Sequence, residues 1–320
     1  MRRPRMKTVV TGAAGFIGAN LVRALLKQGR EVRGVDSLSR GSDKNLDGLE
    51  MEVIHADLRE YREALRAVEG ADVVFHLAAK VGSIDYLHGN ELVELDALQS
   101  NVAMDTNVLR ACVEHRVPKV VYASSVSVYP IQKQEKLGAR FGEGDLRPIS
   151  PEGGYGWAKL LGETQLGMMS ECESAIPRIF NAYGPYSEYG KTAQVVPALV
   201  RKAIRYPREE FVVWGDGMQT RNLMYVDDCI EAMLLMERHA SYPPLILNIG
   251  NPRTVTIRRL AEIVVKTSKK DIRARYDPSK PMGPRSRIPE VSKARKMIGW
   301  SPSTSLEEGI EKTYRWMENL

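Results

Sequence analysis

Two residues one helical turn apart are the first candidates for chemistry. Tyr155 and Lys159 lie four residues apart, so a helix presents both side chains on one face. An ammonium beside a phenol favours the phenolate, so a group that titrates near ~10 can act as a general base at neutral pH. Ser125 follows an apolar run that predicts a strand, and its hydroxyl can hydrogen-bond the oxygen that loses a proton. The predicted catalytic set is Ser125, Tyr155 and Lys159.

A glycine pattern predicts a dinucleotide site. Gly12, Gly15 and Gly18 are spaced as GxxGxxG between a short apolar strand and a helix. The first glycine permits a sharp turn, the second lets the backbone approach a pyrophosphate, and the third lets helix and strand pack closely. The helix N-terminus then offers free N–H groups and partial positive charge to the phosphates.

The end of the next strand indicates which dinucleotide binds. Asp36 closes that strand, and a carboxylate there accepts hydrogen bonds from the adenosine ribose hydroxyls while it repels a 2′-phosphate. We therefore predict NAD rather than NADP, although Arg40 lies nearby. The nicotinamide cation of bound NAD would favour the Tyr155 phenolate further than the Lys159 ammonium does. Asp57, after the third predicted strand, either contacts the adenine or is an exposed loop carboxylate.

Alternating strands and helices in the first half must position these residues. Strands are predicted at 8–10, 31–35, 51–55, 71–77 and 119–123, and helices at 16–27, 61–68 and 91–114. The alternation implies parallel strands with right-handed crossovers, and the continuous apolar runs are typical of a sheet covered on both faces. We predict an α/β fold with a doubly wound parallel Rossmann sheet, whose strand carboxyl ends line the ligand crevice.

The second half is richer in proline and glycine. Helices are predicted at 195–205, 227–237, 257–266 and 306–318. We assign 1–180 plus about 222–248 to an NAD-binding domain, and about 181–221 plus 249–320 to a smaller C-terminal α/β substrate lobe.

The composition disfavours several classes of protein. The chain has 320 residues, of which 43% are hydrophobic and 27% charged, as in ordinary globular proteins. No apolar run reaches the ~18 residues that span a bilayer. The net charge of +6 is spread along the chain, without the basic patch of nucleic-acid binders. The three cysteines and five histidines lack disulfide or metal-ligand spacing. We expect a cytoplasmic protein with no membrane, nucleic-acid or metal partner.

The chain resembles the extended short-chain dehydrogenase/reductase family, specifically its nucleotide-sugar epimerases and dehydratases. The resemblance covers essentially the whole chain. It is carried by the glycine turn, Asp36, His76-Leu77-Ala78-Ala79, Ser125, the Tyr155/Lys159 pair, Arg178-Ile179-Phe180-Asn181, Trp214-Gly215-Asp216-Gly217, Gln219-Thr220-Arg221 and Asn248-Ile249-Gly250.

The resemblance implies two sets of binding residues and a dimer. The implied NAD site comprises Gly12, Gly15, Phe16, Ile17, Gly18, Asp36, Asp57, Leu58, Leu77, Ala78, Ala79, Lys80, Asn101, Tyr155 and Lys159. The implied site for a nucleotide-diphosphate sugar comprises Ser125, Ser127, Asn181, Arg221, Arg285 and Arg287. Two arginines suit a diphosphate, because each makes paired charge-assisted hydrogen bonds, but Arg285 and Arg287 can equally form a solvated basic loop. The family also implies a homodimer, formed through helix 91–114 and the helix near Tyr155; apolar residues there can equally be monomer core.

The resemblance implies oxidation of the sugar at C4, with a keto sugar and NADH held in one site. We predict a 4-epimerase, because Val126 and Ser127 stand where 4,6-dehydratases have an Asp-Glu pair. A GDP-mannose 3,5-epimerase-like enzyme is the alternative, but those enzymes have a cysteine at Ser127 and a lysine near Val195, which only Lys191 could replace through a shifted loop. A non-catalytic NAD-binding regulatory protein is the second alternative, which the intact catalytic set disfavours.

Overall fold

The computed structural model describes residues 6–81, 90–134, 136, 138–190, 193–280 and 287–320. The chain forms two units. The first contains Met1–Val128, Pro151–Arg178 and Ile230–Leu247, and the second contains Tyr129–Ser150, Ile179–Cys229 and Asn248–Leu320.

The domain boundaries predicted from sequence differ from this division at two segments. Residues 129–150 and 222–229 were expected in the NAD-binding domain, but the structure groups them with the second unit. For the first segment the reason is strand pairing and a polar contact: Arg140–Phe141 pairs in parallel with Ile288–Pro289, and the Tyr129 hydroxyl donates to Asn248 Oδ1 over 2.5 Å.

The elements of the described residues are as follows. The strands are β1 (Lys7–Thr11), β2 (Glu31–Asp36), β3 (Glu52–His55), β4 (Val73–His76), β5 (Lys119–Tyr122), β6 (Ser124–Ser125), β7 (Arg140–Phe141), β8 (Glu173–Ile179), β9 (Ala182–Tyr183), β10 (Val212–Trp214), β11 (Thr220–Arg221), β12 (Met224–Tyr225), β13 (Leu245–Ile249), β14 (Val255–Thr256), β15 (Arg275–Asp277) and β16 (Ile288–Pro289). The helices are α1 (Phe16–Lys27), α2 (Tyr61–Val68), α3 (Glu91–Glu114), α4 (Ile131–Gln134), α5 (Gly153–Leu166), α6 (Val195–Arg205), α7 (Val226–Arg238), α8 (Ile257–Ser268), α9 (Ser292–Ile298) and α10 (Leu306–Glu318), with short 3-10 turns at Asp43–Leu46 and Val126–Val128.

The first unit is built on a mostly parallel sheet. Within the described ranges the sheet has eight strands in the order β13-β8-β5-β4-β1-β2-β3, and β6 pairs with β8. The pairs β3–β2, β2–β1, β1–β4, β4–β5 and β5–β8 are parallel. The strand order reverses between β1 and β4, which creates the crevice where ligands bind in such sheets. The predicted doubly wound Rossmann sheet is confirmed.

Burial follows the continuous apolar runs of the central strands. Val9, Val10, Val74 and Phe75 have no exposed surface, because helices cover both faces of a parallel sheet. The edge strand β3 differs, since Val53 is 37% exposed.

Gly29 follows α1 with a φ of 74°, the left-handed conformation that is typical of a glycine at the end of a helix. A Cβ added to Gly29 would have nothing within 4 Å.

The second unit has short strands and three packed helices. In its described part, the strands form two-stranded sheets β10–β15, β11–β14, β12–β9 and β16–β7. Helices α6, α8 and α10 pack against one another. No helix among the described residues combines the length and apolar character needed to cross a membrane.

Candidate active site

The glycine turn between β1 and α1 is closely packed. Gly12 has a φ of 69°, and a Cβ there would lie 2.8 Å from the backbone nitrogen of Ala78. A Cβ on Gly18 would lie 2.0 Å from the Gly12 carbonyl oxygen. These distances explain why glycine stands at both positions. Gly15 begins α1 without any side-chain cap, so the N–H groups of the first turn can bind phosphate.

Asp36 lies at the end of β2 beside this turn. Its Oδ2 accepts from the backbone nitrogen of Ala14 over 2.9 Å, and its Oδ1 accepts from Leu38 over 2.8 Å. The two bonds fix the carboxylate and leave lone pairs on both oxygens for ribose hydroxyls. Arg40 is exposed and donates to the backbone oxygen of Val81.

The segment after β4 is held from two sides. Thr11 Oγ1 accepts from the backbone nitrogens of Leu77 and Ala78, each over 3.1 Å. The buried Asn101 side chain accepts from Lys80 N over 2.8 Å and donates to the Lys80 carbonyl over 2.9 Å. The backbone from Leu77 to Lys80 is thereby fixed at the carboxyl end of β4, with its residues partly exposed.

The remaining residues predicted to bind the cofactor differ in burial and in their contacts. Phe16 and Ile17 are half-buried in the first turn of α1, and Ala79 is half-buried after β4. The Asp57 carboxylate is paired with the Arg59 guanidinium over 2.5 Å, and the hydrogen bond from Arg59 lowers the pKa of Asp57. The Leu58 side chain is buried in the apolar core, so only its backbone can face a ligand.

The three predicted catalytic residues lie together in the first unit. Ser125 ends β6, and a hydrogen bond joins it to Tyr155. Tyr155 and Lys159 lie one turn apart on α5, with Lys159 Nζ 5.9 Å from the centroid of the Tyr155 ring. Lys159 Nζ is buried and makes no hydrogen bond within the described part of the chain. A buried ammonium of this kind is costly unless a ligand supplies acceptors.

Burial and nearby charges act in opposite directions on the acidity of Tyr155. Burial raises the pKa of Tyr155 and the Asp105 carboxylate raises it further, whereas the hydrogen bond from Ser125 lowers it only in part. Burial also lowers the pKa of Lys159, which the Asp105 and Glu163 carboxylates counteract. Desolvation penalises both charged forms, so Lys159 alone does not acidify the phenol. The expected contribution of a nicotinamide cation to the phenolate stays a prediction.

A buried polar network behind Lys159 was not predicted. The fully buried Asp105 accepts from the Tyr122 hydroxyl over 2.5 Å, and its Oδ1 is 3.0 Å from His76 Nε2. His76 Nδ1 is 2.7 Å from Thr11 Oγ1. Burial opposes ionisation of Asp105, but the Lys159 charge and the bonds with His76 and Tyr122 hold its pKa below the ordinary value. The only sequence signal is position: Asp105 follows Asn101 by one turn of α3.

A second interaction that the sequence did not reveal adjoins Ser125. The Ser127 hydroxyl donates to Glu152 Oε2 over 3.0 Å, and Ser127 is only 8% exposed. Glu152 is the N-cap residue of α5 and lies three residues before Tyr155.

The predicted diphosphate residues lie in the second unit. Arg221 is half-buried on β11, and its pKa is lowered by burial and by the charge of Arg287. The two guanidinium groups therefore lie close enough to repel, an arrangement that an anion would stabilise. Asn181 has a φ of 42°, and its carbonyl accepts from Met224 N over 3.2 Å. Arg285 and Lys191 lie outside the described residues.

Across the described ranges no group of three His, Cys, Asp or Glu side chains could hold a metal ion. Cys112, Cys172 and Cys229 are free thiols and buried.

Known proteins that are similar to this chain indicate its family and its fold. The model of the NAD dependent epimerase/dehydratase family matches residues 8–250. GDP-mannose 3,5-epimerase 1 from Oryza sativa subsp. japonica is 28% identical over 317 residues, which cover 98% of this chain and 82% of the relative.

Two solved structures have the same fold along nearly the whole chain. UDP-glucose 4-epimerase from Thermotoga maritima, with UDP-glucose, matches with a TM-score of 0.87 and 26% identity over 98% of this chain and 99% of that one. UDP-glucuronic acid 4-epimerase from Bacillus cereus, in complex with UDP-glucuronic acid and NAD, matches with a TM-score of 0.84 and 28% identity over the same shares.

Proposed function

Because the chain belongs to the NAD dependent epimerase/dehydratase family, we propose that it is a nucleotide-sugar 4-epimerase that acts through a transient 4-keto sugar. The observation that carries the proposal is the set of half-buried Ser125 and Tyr155 with buried Lys159, whose Nζ has no hydrogen-bond partner among the described residues. The two 4-epimerase structures named above support the choice of C4.

The residues present fit NAD. The uncapped start of α1 suits the pyrophosphate, the fixed Asp36 carboxylate suits the adenosine ribose, and the Lys159 ammonium suits the hydroxyls of the second ribose. When bound, NAD accepts hydride from C4 and brings the positive charge of its nicotinamide ring.

Each catalytic side chain then has a separate task. Tyr155 takes the proton of the sugar 4-hydroxyl, and its phenolate is stabilised once positive charge lies beside it. Ser125 donates a hydrogen bond to the same sugar oxygen. Lys159 places a positive charge near the phenol, and the Asp105 carboxylate counteracts the burial that lowers the pKa of that lysine. In the reverse step Tyr155 would return its proton to the C4 oxygen, and C4 would be inverted if hydride from bound NAD reached the opposite face of the sugar.

Arg221 and Arg287 are our candidates for binding the diphosphate of the substrate. Their proximity concentrates positive charge in the second unit, and a guanidinium pairs well with phosphate oxygens. We keep Asn181 and Arg285 as further candidates from the family resemblance.

We also propose a homodimer and a cytoplasmic location. Helices α3 and α5 pack on each other and leave apolar side chains exposed, namely Leu92, Leu95, Trp157 and Leu161. A second copy that presents the same two helices would cover them in a four-helix arrangement. Free cysteines suit a reducing compartment.

GDP-mannose 3,5-epimerisation is the second candidate function. The rice relative of that name supports it, with 28% identity along 98% of the chain. We place it second because Ser127 replaces the cysteine of those enzymes, and a serine hydroxyl alone is a poor base toward carbon.

The test uses the purified protein with its bound cofactor. UDP-glucose, UDP-glucuronic acid and GDP-mannose are added separately, cofactor reduction is followed by fluorescence, and products are identified by NMR. We expect inversion at C4 with at least one sugar nucleotide. Tyr155→Phe should slow cofactor reduction by about 10²-fold or more, while Tyr314→Phe on α10 should not.

Two results would contradict the proposal. Bound NAD that no sugar nucleotide reduces would indicate the regulatory alternative. Inversion at C3 and C5 without inversion at C4 would indicate the second candidate.

A further inference from the structure

The Ser127 side chain adjoins the catalytic set and carries its own carboxylate partner. Ser127 N donates to Ser125 Oγ over 3.2 Å, and Ser127 Oγ donates to Glu152 Oε2 over 3.0 Å. Ser125 is in turn hydrogen-bonded to Tyr155. Ser127 is therefore tied to Ser125 and Tyr155 through its backbone nitrogen, and to Glu152 through its hydroxyl.

This arrangement is rigid. The backbone nitrogen of Glu152 donates to the Ser127 carbonyl over 2.8 Å, which ties the start of α5 to the turn after β6. A Cβ on Gly156 would lie 2.3 Å from the same Ser127 carbonyl oxygen, so the helix and the turn are in the closest contact that the backbone allows. Ser127 and Glu152 cannot separate without moving Tyr155, since all lie on these two segments.

Glu152 is more exposed than its partner Ser127. It is the N-cap residue of α5. Glu152 is half-buried, so its carboxyl group can exchange protons with water, whereas Ser127 is 8% exposed. The pair thus combines a hydroxyl in the site with a base that reaches solvent.

We propose that Ser127 and Glu152 form a proton relay that removes and returns the hydrogen on a carbon next to the C4 carbonyl of the oxidised sugar. This rests on the proposed function, because the carbonyl forms only after C4 is oxidised. The proposed additional activity is exchange of the C3 or C5 hydrogen with solvent.

The step is balanced without another reactant. The C–H bond beside the carbonyl breaks, its electron pair forms the carbon–carbon double bond of an enolate, and negative charge moves to the C4 oxygen. The proton passes to Ser127 Oγ while the Ser127 proton passes to Glu152 Oε2. The Tyr155 and Ser125 hydroxyls donate to the enolate oxygen, as donors do in an oxyanion hole. Reversal returns a proton to carbon, and Glu152 exchanges its proton with water in between.

A serine hydroxyl alone is a poor base toward carbon, and the Glu152 carboxylate removes this difficulty for Ser127. A hydroxyl becomes a competent proton acceptor when a second group takes its own proton in the same step, as in other serine–base pairs. Glu152 acts through Ser127 and does not need to touch the sugar.

The experiment measures deuterium in recovered sugar nucleotide after incubation in D₂O. The holoenzyme is incubated with UDP-glucose, UDP-glucuronic acid or GDP-mannose, and NMR reports deuterium at C3 and C5. Cofactor reduction is recorded in parallel, and the readout is deuterium incorporated per turnover of the cofactor. We expect Glu152→Gln and Ser127→Ala to lower this ratio at least tenfold, and Glu152→Asp to restore part of it.

A matched control comes from another helix. Glu60 is the N-cap residue of α2 and likewise makes no side-chain cap bond, so Glu60→Gln should leave the ratio unchanged. Thermal unfolding and the amount of bound NAD are measured for each variant, to distinguish a misfolded protein from one that has lost the relay. If Glu152→Gln does not fold, Glu152→Asp and Ser127→Ala are compared with the parent protein instead.

The outcomes separate this proposal from the proposed function. Cofactor reduction with inversion at C4 but no deuterium at C3 or C5 overturns the relay and leaves the 4-epimerase intact. An unchanged ratio in the folded Gln and Ala variants also overturns the relay. Absence of any cofactor reduction with all three sugar nucleotides overturns both.

Discussion

Gly12 and Gly29 provide a matched pair for testing the cofactor site. Both have left-handed φ angles, 69° and 74°. An alanine in that region costs about 1–2 kcal/mol at either position. The positions differ in surroundings: a Cβ on Gly12 would lie 2.8 Å from Ala78 N and 3.0 Å from the Leu77 carbonyl carbon, whereas a Cβ on Gly29 meets nothing within 4 Å.

Because the surroundings of the two glycines differ, we expect the two alanine variants to differ in stability and in NAD affinity. Gly29→Ala should reduce the free energy of unfolding by about 1–2 kcal/mol and leave the Kd for NAD within twofold of the parent value. Gly12→Ala adds an overpacking cost of about 1–3 kcal/mol, because the segment from Leu77 to Lys80 must move. Since that segment is predicted to line the cofactor site, we expect NAD affinity to fall by at least tenfold, which corresponds to about 1.4 kcal/mol.

The assay compares both variants with the parent protein. Chemical denaturation gives the free energy of unfolding, and calorimetric titration of cofactor-stripped protein gives the Kd for NAD. A Gly12→Ala protein that binds NAD as tightly as Gly29→Ala would refute the assignment of the turn and the segment after β4 to the cofactor site.

Three further outcomes are expected. Asp36→Ser should lower the ratio of NAD to NADP affinity at least tenfold, because it removes charged acceptors worth about 1.5–3 kcal/mol; equal ratios in titration would contradict this. Asp105→Asn should lower the free energy of unfolding near pH 7 by up to about 3–5 kcal/mol, since it leaves the Lys159 charge uncompensated. The lowered pKa of Asp105 adds stability above its ordinary pKa that is lost as the pH falls through the folded value, so acid denaturation curves should be shallower in this variant; parallel curves would oppose the reasoning. Leu161→Glu should convert a dimer to monomers in light scattering, whereas Leu320→Glu should not; a monomeric parent protein would rule out the dimer.

The sequence predicted the elements whose signal is local. The spacing of Gly12, Gly15 and Gly18 predicted the tight turn between β1 and α1. The apolar run that starts at Val73 predicted a strand that is buried on both faces. Both were confirmed in the structure as local features. Helix α5 begins at Gly153, just ahead of the predicted Tyr155 face.

Features that depend on distant contacts were not predictable. Asp105 becomes part of the candidate site because β4, β5 and α3 bring His76 and Tyr122 into contact with it. The spacing of these three residues in the sequence does not predict that contact. In the sequence Glu152 has no feature that distinguishes it from other residues at helix starts. Its hydrogen bond with the Ser127 hydroxyl is seen only in the folded structure. The pKa of Tyr155 also depends on how much water its site loses on folding, which the spacing of charged residues does not show.

The Lys159 ammonium, which has charged neighbours but no hydrogen-bond partner among the described residues, has a consequence for how the protein matures. A nascent chain must desolvate this charge on folding, and we expect the dinucleotide to supply the hydrogen-bond acceptors for it. The dinucleotide then acts as a folding ligand, which shifts the equilibrium by mass action toward the native state. We expect the protein to be isolated with NAD already in place, and depletion of NAD during synthesis to leave a larger share of chains open to proteolysis.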